Sequence, residues 1–306
     1  MSHVVPPGFR RRRLTVSLVQ ILAAPSLLAL AAPAAWAGCD ASAPVAGQTV
    51  TCSAAAPNPD ATPVTLGAGA SGVTVNVQSG AQLSTSNANA IYVAPTAGGT
   101  INNQGSIAAS GTVGSGTAGG INADAVVTVN NAASGSISSA QGYALYLQGG
   151  SGVVNDGQIS AAAGWGIAFK GAGDSSVVNR GTISGGTGGV QFGAGNDRLQ
   201  MLAGSITGAV QQGDGNDVLL LNGGTIGSLD QGSGDDQLTV NGGTITGLVT
   251  QFSGRDDFVM TGGTIGALQQ GDNIDTFRMS GGRIVGAFED GDQAWMTGGR
   301  IGRVNM

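Results

Sequence analysis

The chain has 306 residues, of which 56 are glycine, and its net charge is −6 with only 10% charged and 4% aromatic side chains. This composition excludes collagen, because no strict three-residue glycine period is present, and it excludes a coiled coil, which needs abundant charged helix formers. An apolar fraction of 41% argues against a disordered chain. The remaining class is an all-β protein with many turns.

The chain begins with a segment organised like a secretory signal peptide, over residues 1–37. A basic stretch ends at Arg13, an apolar run follows, and small residues lead to an A-x-A sequence that ends at Ala37. We predict cleavage between Ala37 and Gly38, and therefore export. Two alternatives are a membrane anchor, against which the prolines near the apolar run argue, and a lipoprotein acylated at Cys39.

Residues 38–66 are predicted to form an N-terminal cap region. The only two cysteines, Cys39 and Cys52, lie in it, and export makes a disulfide between them permissible. Closing this short loop would contribute roughly 3 kcal/mol by restricting the unfolded chain. We therefore interpret the pair as a structural clip rather than as two free thiols.

Residues 67–192 contain an irregular repeat with a period of 22 to 30 residues. Two apolar columns lengthen and shorten together along it, which indicates turns of a repeating structure with a loop inserted around residues 111–120. One column consists of Ile107, Ile137, Ile159 and Ile183, and the other of Ile91, Ile121, Leu145, Ile167 and Val190.

Residues 193–306 repeat more regularly, with a period of 19 or 20 residues that shortens near the end. An isoleucine column contains Ile206, Ile226, Ile245, Ile265, Ile284 and Ile301. A second apolar column contains Val210, Leu229, Val249, Leu268, Phe288 and Val304. Two further columns lie two residues apart, on one face of a strand: Leu199, Leu219, Leu238, Phe258 and Phe277, with Met201, Leu221, Val240, Met260 and Met279.

Short apolar strands separated by glycine turns at this period predict a single-start parallel β-helix, of the right-handed kind, with about ten or eleven rungs. A lone rung buries roughly five apolar side chains but must order about twenty residues, so its conformational entropy outweighs its burial. The rungs must therefore stack, with identical columns one above another.

The turns of the second half carry sequences such as GAGNDRL, GDGNDVL and GSGDDQL. These resemble the nonapeptide of RTX calcium-binding rolls, and the resemblance implies calcium ligands at Asp197, Asp217, Asp236, Asp257 and Asp275. The period differs from the nine residues of that family. We therefore interpret the motif as a solvated glycine–aspartate turn that the aspartate caps with its own side chain, and expect no metal site.

Neighbouring carboxylates are candidates for acid–base chemistry of the kind that polysaccharide-cleaving β-helix enzymes perform. They fall in the repeat turns, and the only histidine, His3, lies in the leader. Trp165 and Trp295 are several rungs apart, too far for one sugar site. We therefore predict no catalytic residue and no cofactor site. The carboxylate pairs are Asp235-Asp236, Asp256-Asp257 and Glu289-Asp290.

Basic residues form no cluster outside the leader, so a nucleic-acid partner is not expected. Four of the 12 basic residues are the consecutive arginines 10–13, whereas all 18 acidic residues follow residue 37.

The leader, the short cysteine loop, the N-x-G-x-I rungs and the later rungs with GGTIxG and QGxGND sequences together resemble a bacterial type V autotransporter passenger domain, of the pertactin-like β-helix kind. The resemblance covers about residues 38–306. It implies export to the periplasm, passage through a β-barrel translocator, and display on the bacterial cell surface or secretion.

The same resemblance implies a non-catalytic adhesin or virulence-associated rod, whose partner is a host or cell-surface protein or glycan besides the export machinery. The chain lacks the alternating amphipathic strands of a barrel, so we expect a passenger segment truncated at its C-terminus, and a monomer. The alternatives are a calcium-stabilised RTX-like roll and a polysaccharide-active β-helix enzyme.

Overall fold

A computed structural model of the chain describes residues 1–3, 38–113, 116–117, 119–289 and 292–305. The chain divides into two compact units, Met1–Ala35 and Trp36–Met306, and every strand belongs to the second. Most of the predicted leader and Ala37 lie outside the described residues, so cleavage before Gly38 stays a prediction. Among the described residues, no helix is long and apolar enough to span a membrane.

Twelve short strands, one from each rung, form a parallel sheet on one side of the second unit. In spatial order they are β1 (Thr49–Cys52), β3 (Val73–Val77), β6 (Gly99–Asn103), β11 (Val127–Asn131), β14 (Gly152–Asn155), β17 (Ser176–Asn179), β20 (Arg198–Met201), β22 (Val218–Leu221), β24 (Gln237–Val240), β26 (Asp257–Met260), β28 (Thr276–Met279) and β30 (Gln293–Met296).

The remaining sides of the rungs are parallel strands as well, apart from one antiparallel hairpin. The parallel strands are β2 (Val64–Leu66), β4 (Gln82–Thr85), β5 (Ile91–Val93), β7 (Ser106–Ala109), β10 (Ile121–Ala123), β12 (Ser136–Ser139), β13 (Leu145–Gln148), β15 (Gln158–Ala161), β16 (Trp165–Lys170), β18 (Thr182–Gly185), β19 (Gly188–Gln191), β21 (Ser205–Gln211), β23 (Thr225–Asp230), β25 (Thr244–Thr250), β27 (Thr264–Gln269), β29 (Arg283–Glu289) and β31 (Arg300–Asn305). The hairpin pairs β8 (Thr112–Val113) with β9 (Gly116–Thr117).

Each strand pairs in parallel with the equivalent strands of the neighbouring rungs, which confirms the predicted all-β parallel β-helix, here of about 11 turns. The isoleucine column is in register from Ile206 through Ile226 and Ile245 to Ile284, and these side chains are at most 1% exposed. The earlier columns pair as predicted too, for instance Ile107 with Ile137. One member departs from the prediction, since Val304 pairs with Phe288 but is 49% exposed in the last described turn.

The two repeat lengths have a structural cause. In the longer rungs two separate strands follow the sheet strand, as β18 and β19 do, whereas β21 pairs with both of them as a single bent strand. From β21 onward the pairing shifts register at a bulge within each such strand. Replacing a turn by a bulge removes a few residues from every rung and shortens the period. The hairpin β8–β9 is the loop that was predicted around residues 111–120.

The first residues of the described second unit cover the free edge of β1. Cys39 and Cys52 form the predicted disulfide and an antiparallel bridge. The backbone amide of Asp40 donates to the Thr51 carbonyl oxygen at 3.0 Å, and the Thr51 amide donates back to Asp40 Oδ1 at 2.8 Å. These contacts satisfy part of an edge that would otherwise be open for pairing.

Buried amide side chains stack along two corners of the solenoid, a feature that the apolar columns do not reveal. Within one ladder, each side chain but the last donates from its amide nitrogen to the amide oxygen of the next rung's residue at 2.8 Å. Within the other, each side chain but the first donates to that of the preceding rung's residue at 3.0–3.1 Å. All are at most 1% exposed. Because a buried amide without a partner is costly, such ladders fix the register of the rungs. The ladders are Asn103, Asn131, Asn155 and Asn179, and Gln212, Gln231, Gln251 and Gln270.

Candidate functional site

One outward-facing column carries two tyrosines, and a third tyrosine and a lysine lie beside it. It follows the inward column of Ile91, Ile121 and Leu145 by one residue, so strand alternation turns its side chains to solvent. Its members pair in register as Tyr92 with Asn122 and Asn122 with Tyr146. Lys170, the only lysine of the chain, lies on β16 two residues beyond this column, where it pairs in register with Gln148.

We call the cluster formed by Tyr92, Asn122, Asp124, Tyr143, Tyr146 and Lys170 the tyrosine patch. It contains all three tyrosines of the chain, and each of its members is partly exposed. The rings of Tyr143 and Tyr146 stack with their centroids 4.7 Å apart. Lys170 reaches back over the Tyr146 ring, with Nζ 4.5 Å from the centroid, a cation–π arrangement.

An ion pair holds the patch together. Lys170 Nζ pairs with Asp124 and donates to Asn122 Oδ1 at 3.0 Å, while Tyr92 Oη donates to Asp124 Oδ2 at 2.6 Å. Burial opposes the ionisation of Asp124, but the hydrogen bonds from Lys170 and Tyr92 outweigh it and hold the pKa of this carboxyl below its usual value. The hydrogen bond to Asp124, together with burial, raises the pKa of Tyr92. The patch therefore presents the Asp124 carboxylate, held by Lys170 and Tyr92, beside the stacked rings of the other two tyrosines.

A cavity of about 450 Å³ lies at one end of the patch. Tyr92 and Asp124 form part of its wall, with Pro63, Thr65 and Asn89 opposite. Asn89 Oδ1 accepts a hydrogen bond from the Gly119 amide at 2.8 Å, which ties the cavity rim to the base of the inserted hairpin. In repeat proteins such insertions map to one face, often the binding face.

The apolar columns define inward positions only, so they do not reveal this outward patch. The signal was available one residue after each inward apolar residue, where tyrosine, asparagine and tyrosine replace the small residues of an ordinary strand. The patch has the composition of a recognition surface: rigid rings for stacking, and a carboxylate, an amide and an ammonium at fixed positions.

The aspartates of the glycine turns form a different arrangement from the one predicted. Asp197, Asp217, Asp236 and Asp275 align as expected, but the fourth rung contributes Asp256 and not Asp257, which corrects the predicted set. These five aspartates, which we call the aspartate ladder, are at most 2% exposed.

Each ladder carboxylate bonds to the backbone of a neighbouring rung. Asp217 Oδ1 accepts from the Asp197 amide at 2.7 Å, and Asp236 Oδ1 accepts from the Asp217 amide at 2.8 Å. The same bond joins Asp256 to Asp236, and Asp275 to Asp256, at 2.9 Å. The prediction that each aspartate is solvated and caps its own turn is therefore wrong, because the carboxylate is buried and caps the turn of the preceding rung.

The second oxygen of four ladder carboxylates is buried without a hydrogen-bond partner among the described residues, in Asp197, Asp217, Asp236 and Asp256. Burial, reinforced by the charge of neighbouring aspartates, raises the pKa of Asp236 to about 8 and that of Asp217 to about 7. Burial likewise raises the pKa of Asp256 to about 7 and that of Asp197 to about 6. Asp236 is therefore mostly protonated at neutral pH, and Asp217 and Asp256 are protonated in part.

In the two described pairs of adjacent carboxylates, the two side chains do not point into the same region. Asp235 is exposed and accepts from the Arg255 amide at 2.8 Å, whereas Asp236 is buried in the ladder. Asp257 pairs with Arg278 at 2.6 Å on the outer surface, while Asp256 points inward. Asp290, of the third pair, lies outside the described residues. No group of three or more histidine, cysteine, aspartate or glutamate side chains in the described part of the chain is arranged to hold a metal ion.

Comparisons with protein-family models, with curated proteins and with solved structures find no significant match for this chain.

Proposed function

We propose that this protein is a non-catalytic, exported interaction rod of the autotransporter-passenger type, and that the tyrosine patch is its contact surface for a host or cell-surface partner. The observation that carries the proposal is the concentration of all three tyrosines and the only lysine in one outward cluster, where Lys170 lies over the Tyr146 ring and Tyr143 stacks on it, beside the inserted hairpin. Display on the bacterial surface, or secretion, and an adhesin role belong to the same proposal.

The parallel solenoid supports this proposal because it provides a long rigid surface on which outward residues vary freely while inward columns preserve the fold. The arrangement of two carboxylate pairs supports it as well, since Asp236 and Asp256 are buried while their neighbours Asp235 and Asp257 lie at the surface.

The test compares binding of labelled protein to cultured host cells for the wild type and a Tyr143→Ser/Tyr146→Ser variant. We expect the variant to bind about tenfold more weakly or worse, because stacked aromatic anchors dominate interface energetics.

The chain offers a matched control in Arg278 and Trp295. Arg278 pairs with Asp257 and lies over the Trp295 ring at 5.4 Å from the centroid, the same chemistry elsewhere on the rod. The Arg278→Ser/Trp295→Ser variant should bind like the wild type. Equal loss of cell binding in both variants, or no loss in the tyrosine variant, would show that the tyrosine patch is not the contact surface.

A further inference from the structure

Phe252 is an exposed aromatic residue held in a conformation that costs stability. It occupies a turn position where the aligned residues of the other regular rungs are Gly193, Gly213, Gly232 and Gly271. Its φ is +57°, in the left-handed region that side chains with a β-carbon avoid, and 57% of its surface is exposed.

The close packing of the rungs adds to this cost. A β-carbon at Gly232 would lie 1.8 Å from the Gly213 carbonyl oxygen, so the ordinary rung spacing has no room for a side chain here. The same clash recurs in the next rung, where a β-carbon at Gly271 would lie 2.0 Å from the Phe252 carbonyl oxygen. Strain of this kind, kept where glycine would fit, points to a function of the side chain.

The ring stands between two cavities of about 310 and 480 Å³. Their floor is a row of outward polar residues that pair in register from rung to rung, in the order Gln211, Asp230, Thr250, Gln269 and Glu289. This row is in register with the tyrosine patch, because Tyr146 pairs with Ala168, Ala168 with Gln191 and Gln191 with Gln211, and the buried Ala168 separates the two surfaces.

The chemistry of this groove selects one class of ligand. Amide, hydroxyl and carboxylate side chains recur at the rung spacing of about 4.8 Å, comparable to the length of one hexose unit. A single projecting ring suits stacking against the apolar face of a pyranose. Asp214, Asp230, Asp272 and Glu289 line the two cavities, and of these Glu289 pairs with Arg303 at 3.6 Å. The carboxylates outnumber this one cation, so an anionic polymer would be repelled.

We propose that this groove binds a linear neutral glycan along the axis of the solenoid, with Phe252 as the stacking platform. The inference rests on the proposed function, in that the groove lies in register with the tyrosine patch, and it names the ligand class. A protein partner is less suited to the groove, because protein interfaces exclude charged side chains from their centre, whereas four carboxylates flank this ring.

Isothermal titration of the full chain tests the inference with neutral hexasaccharides of glucose, mannose and galactose, and with hexagalacturonate as the anionic comparison. We expect at least one neutral hexasaccharide to bind, and hexagalacturonate to bind about tenfold more weakly or not at all. No binding of any neutral probe, or tighter binding of the anionic one, would overturn the inference.

The variant Phe252→Gly separates binding from folding, since it installs the residue that the other regular rungs use. We expect it to lower affinity for the neutral probe about tenfold or more and to leave the melting temperature unchanged or higher. Phe252→Tyr should retain binding. Asn273→Gly is the matched control: it relieves another left-handed backbone position, at φ +83°, without removing the ring, and should bind like the wild type.

Unchanged affinity in Phe252→Gly would refute the glycan groove while leaving the tyrosine patch standing, provided that Tyr143→Ser/Tyr146→Ser still loses binding to cells. If neither Phe252→Gly nor Tyr143→Ser/Tyr146→Ser lost binding to cells, the proposed function would be refuted as well.

Discussion

The aspartate ladder predicts that this protein is more stable in acid than at mildly alkaline pH, the reverse of a protein stabilised by ion-paired carboxylates. Burial raises the folded-state pKa of four ladder aspartates to between about 6 and about 8, from an ordinary value of 3.8. The folded state therefore binds more protons than the unfolded state. The contribution to stability is fully present below pH about 4 and is lost as the pH rises through about 8.

The size of the effect follows from a single residue, Asp236. Protonating a carboxyl costs about 1.36 kcal/mol for each pH unit above its ordinary pKa. At pH 7, a shift from 3.8 to about 8 corresponds to an upper limit of about 4 kcal/mol. In Asp236→Asn the amide oxygen still accepts from the Asp217 amide, and no proton is needed. We expect about half the upper limit as a gain, roughly 2 kcal/mol, since burying the amide retains part of the desolvation cost.

Urea unfolding followed by circular dichroism at pH 5 and pH 8 measures the effect. The urea concentration at the unfolding midpoint of the wild type should fall from pH 5 to pH 8. Asp236→Asn should reduce that fall, and its midpoint at pH 8 should be higher than that of the wild type. Asp235→Asn is the control, because the Asp235 side chain is exposed, and it should keep the wild-type pH dependence. A wild-type midpoint that rises toward pH 8, or an Asp236→Asn variant that is equally destabilised at both pH values, would refute the reasoning.

Three further predictions concern packing, cations and export. Ile245→Ala should lower the free energy of unfolding by about 2–5 kcal/mol in a urea titration, because the side chain is fully buried, whereas the exposed Ile274→Ala should change it by less than about 0.5 kcal/mol. The melting curve should be the same in about 10 mM calcium and in excess chelator. Calcium needs six or more oxygen ligands, and each ladder aspartate already uses one of its oxygens to accept from a backbone amide. An increase in melting temperature with calcium that magnesium does not reproduce would support the calcium interpretation instead. N-terminal sequencing of exported protein should begin at Gly38, and an uncleaved start or a lipid on Cys39 would show that the leader was misinterpreted.

The fold was predictable because inward columns constrain the sequence strongly. A β-branched or leucine side chain must recur once per rung to fill the interior. The spacing of Ile226, Ile245 and Ile265 therefore indicates both the period and the register. The hairpin was predictable for the same reason, since it lengthens two columns by the same amount. The bulge that shortens the later rungs was not, because it changes the backbone path without changing the apolar pattern.

The prediction of Asp257 was wrong because two aspartates, Asp256 and Asp257, lie side by side in this turn and either one resembles the repeat position. Asp256 lies 20 residues after Asp236 and 19 before Asp275, the ordinary steps of the repeat, whereas Asp257 breaks both steps. Strict use of the period would have found the correct residue.

The polar ladders escaped prediction because pattern analysis equates buried with apolar. Asn155, Gln231 and Asp236 occupy inward corners, where each side chain bonds to its copy in a neighbouring rung or to the backbone there. Such a partner becomes visible only once the rungs are stacked. The outward tyrosine patch and Phe252 escaped for the opposite reason, since outward positions carry no periodic constraint.

Hydroxyl-radical footprinting of the protein while it is bound to host cells shows whether this solenoid contacts its partner through the tyrosine patch. The account predicts that Tyr143 and Tyr146 are oxidised more slowly in the bound protein than in the free protein, while the exposed Trp295 reacts equally in both. Equal oxidation of the two tyrosines in both states, or protection confined to Trp295, would contradict it.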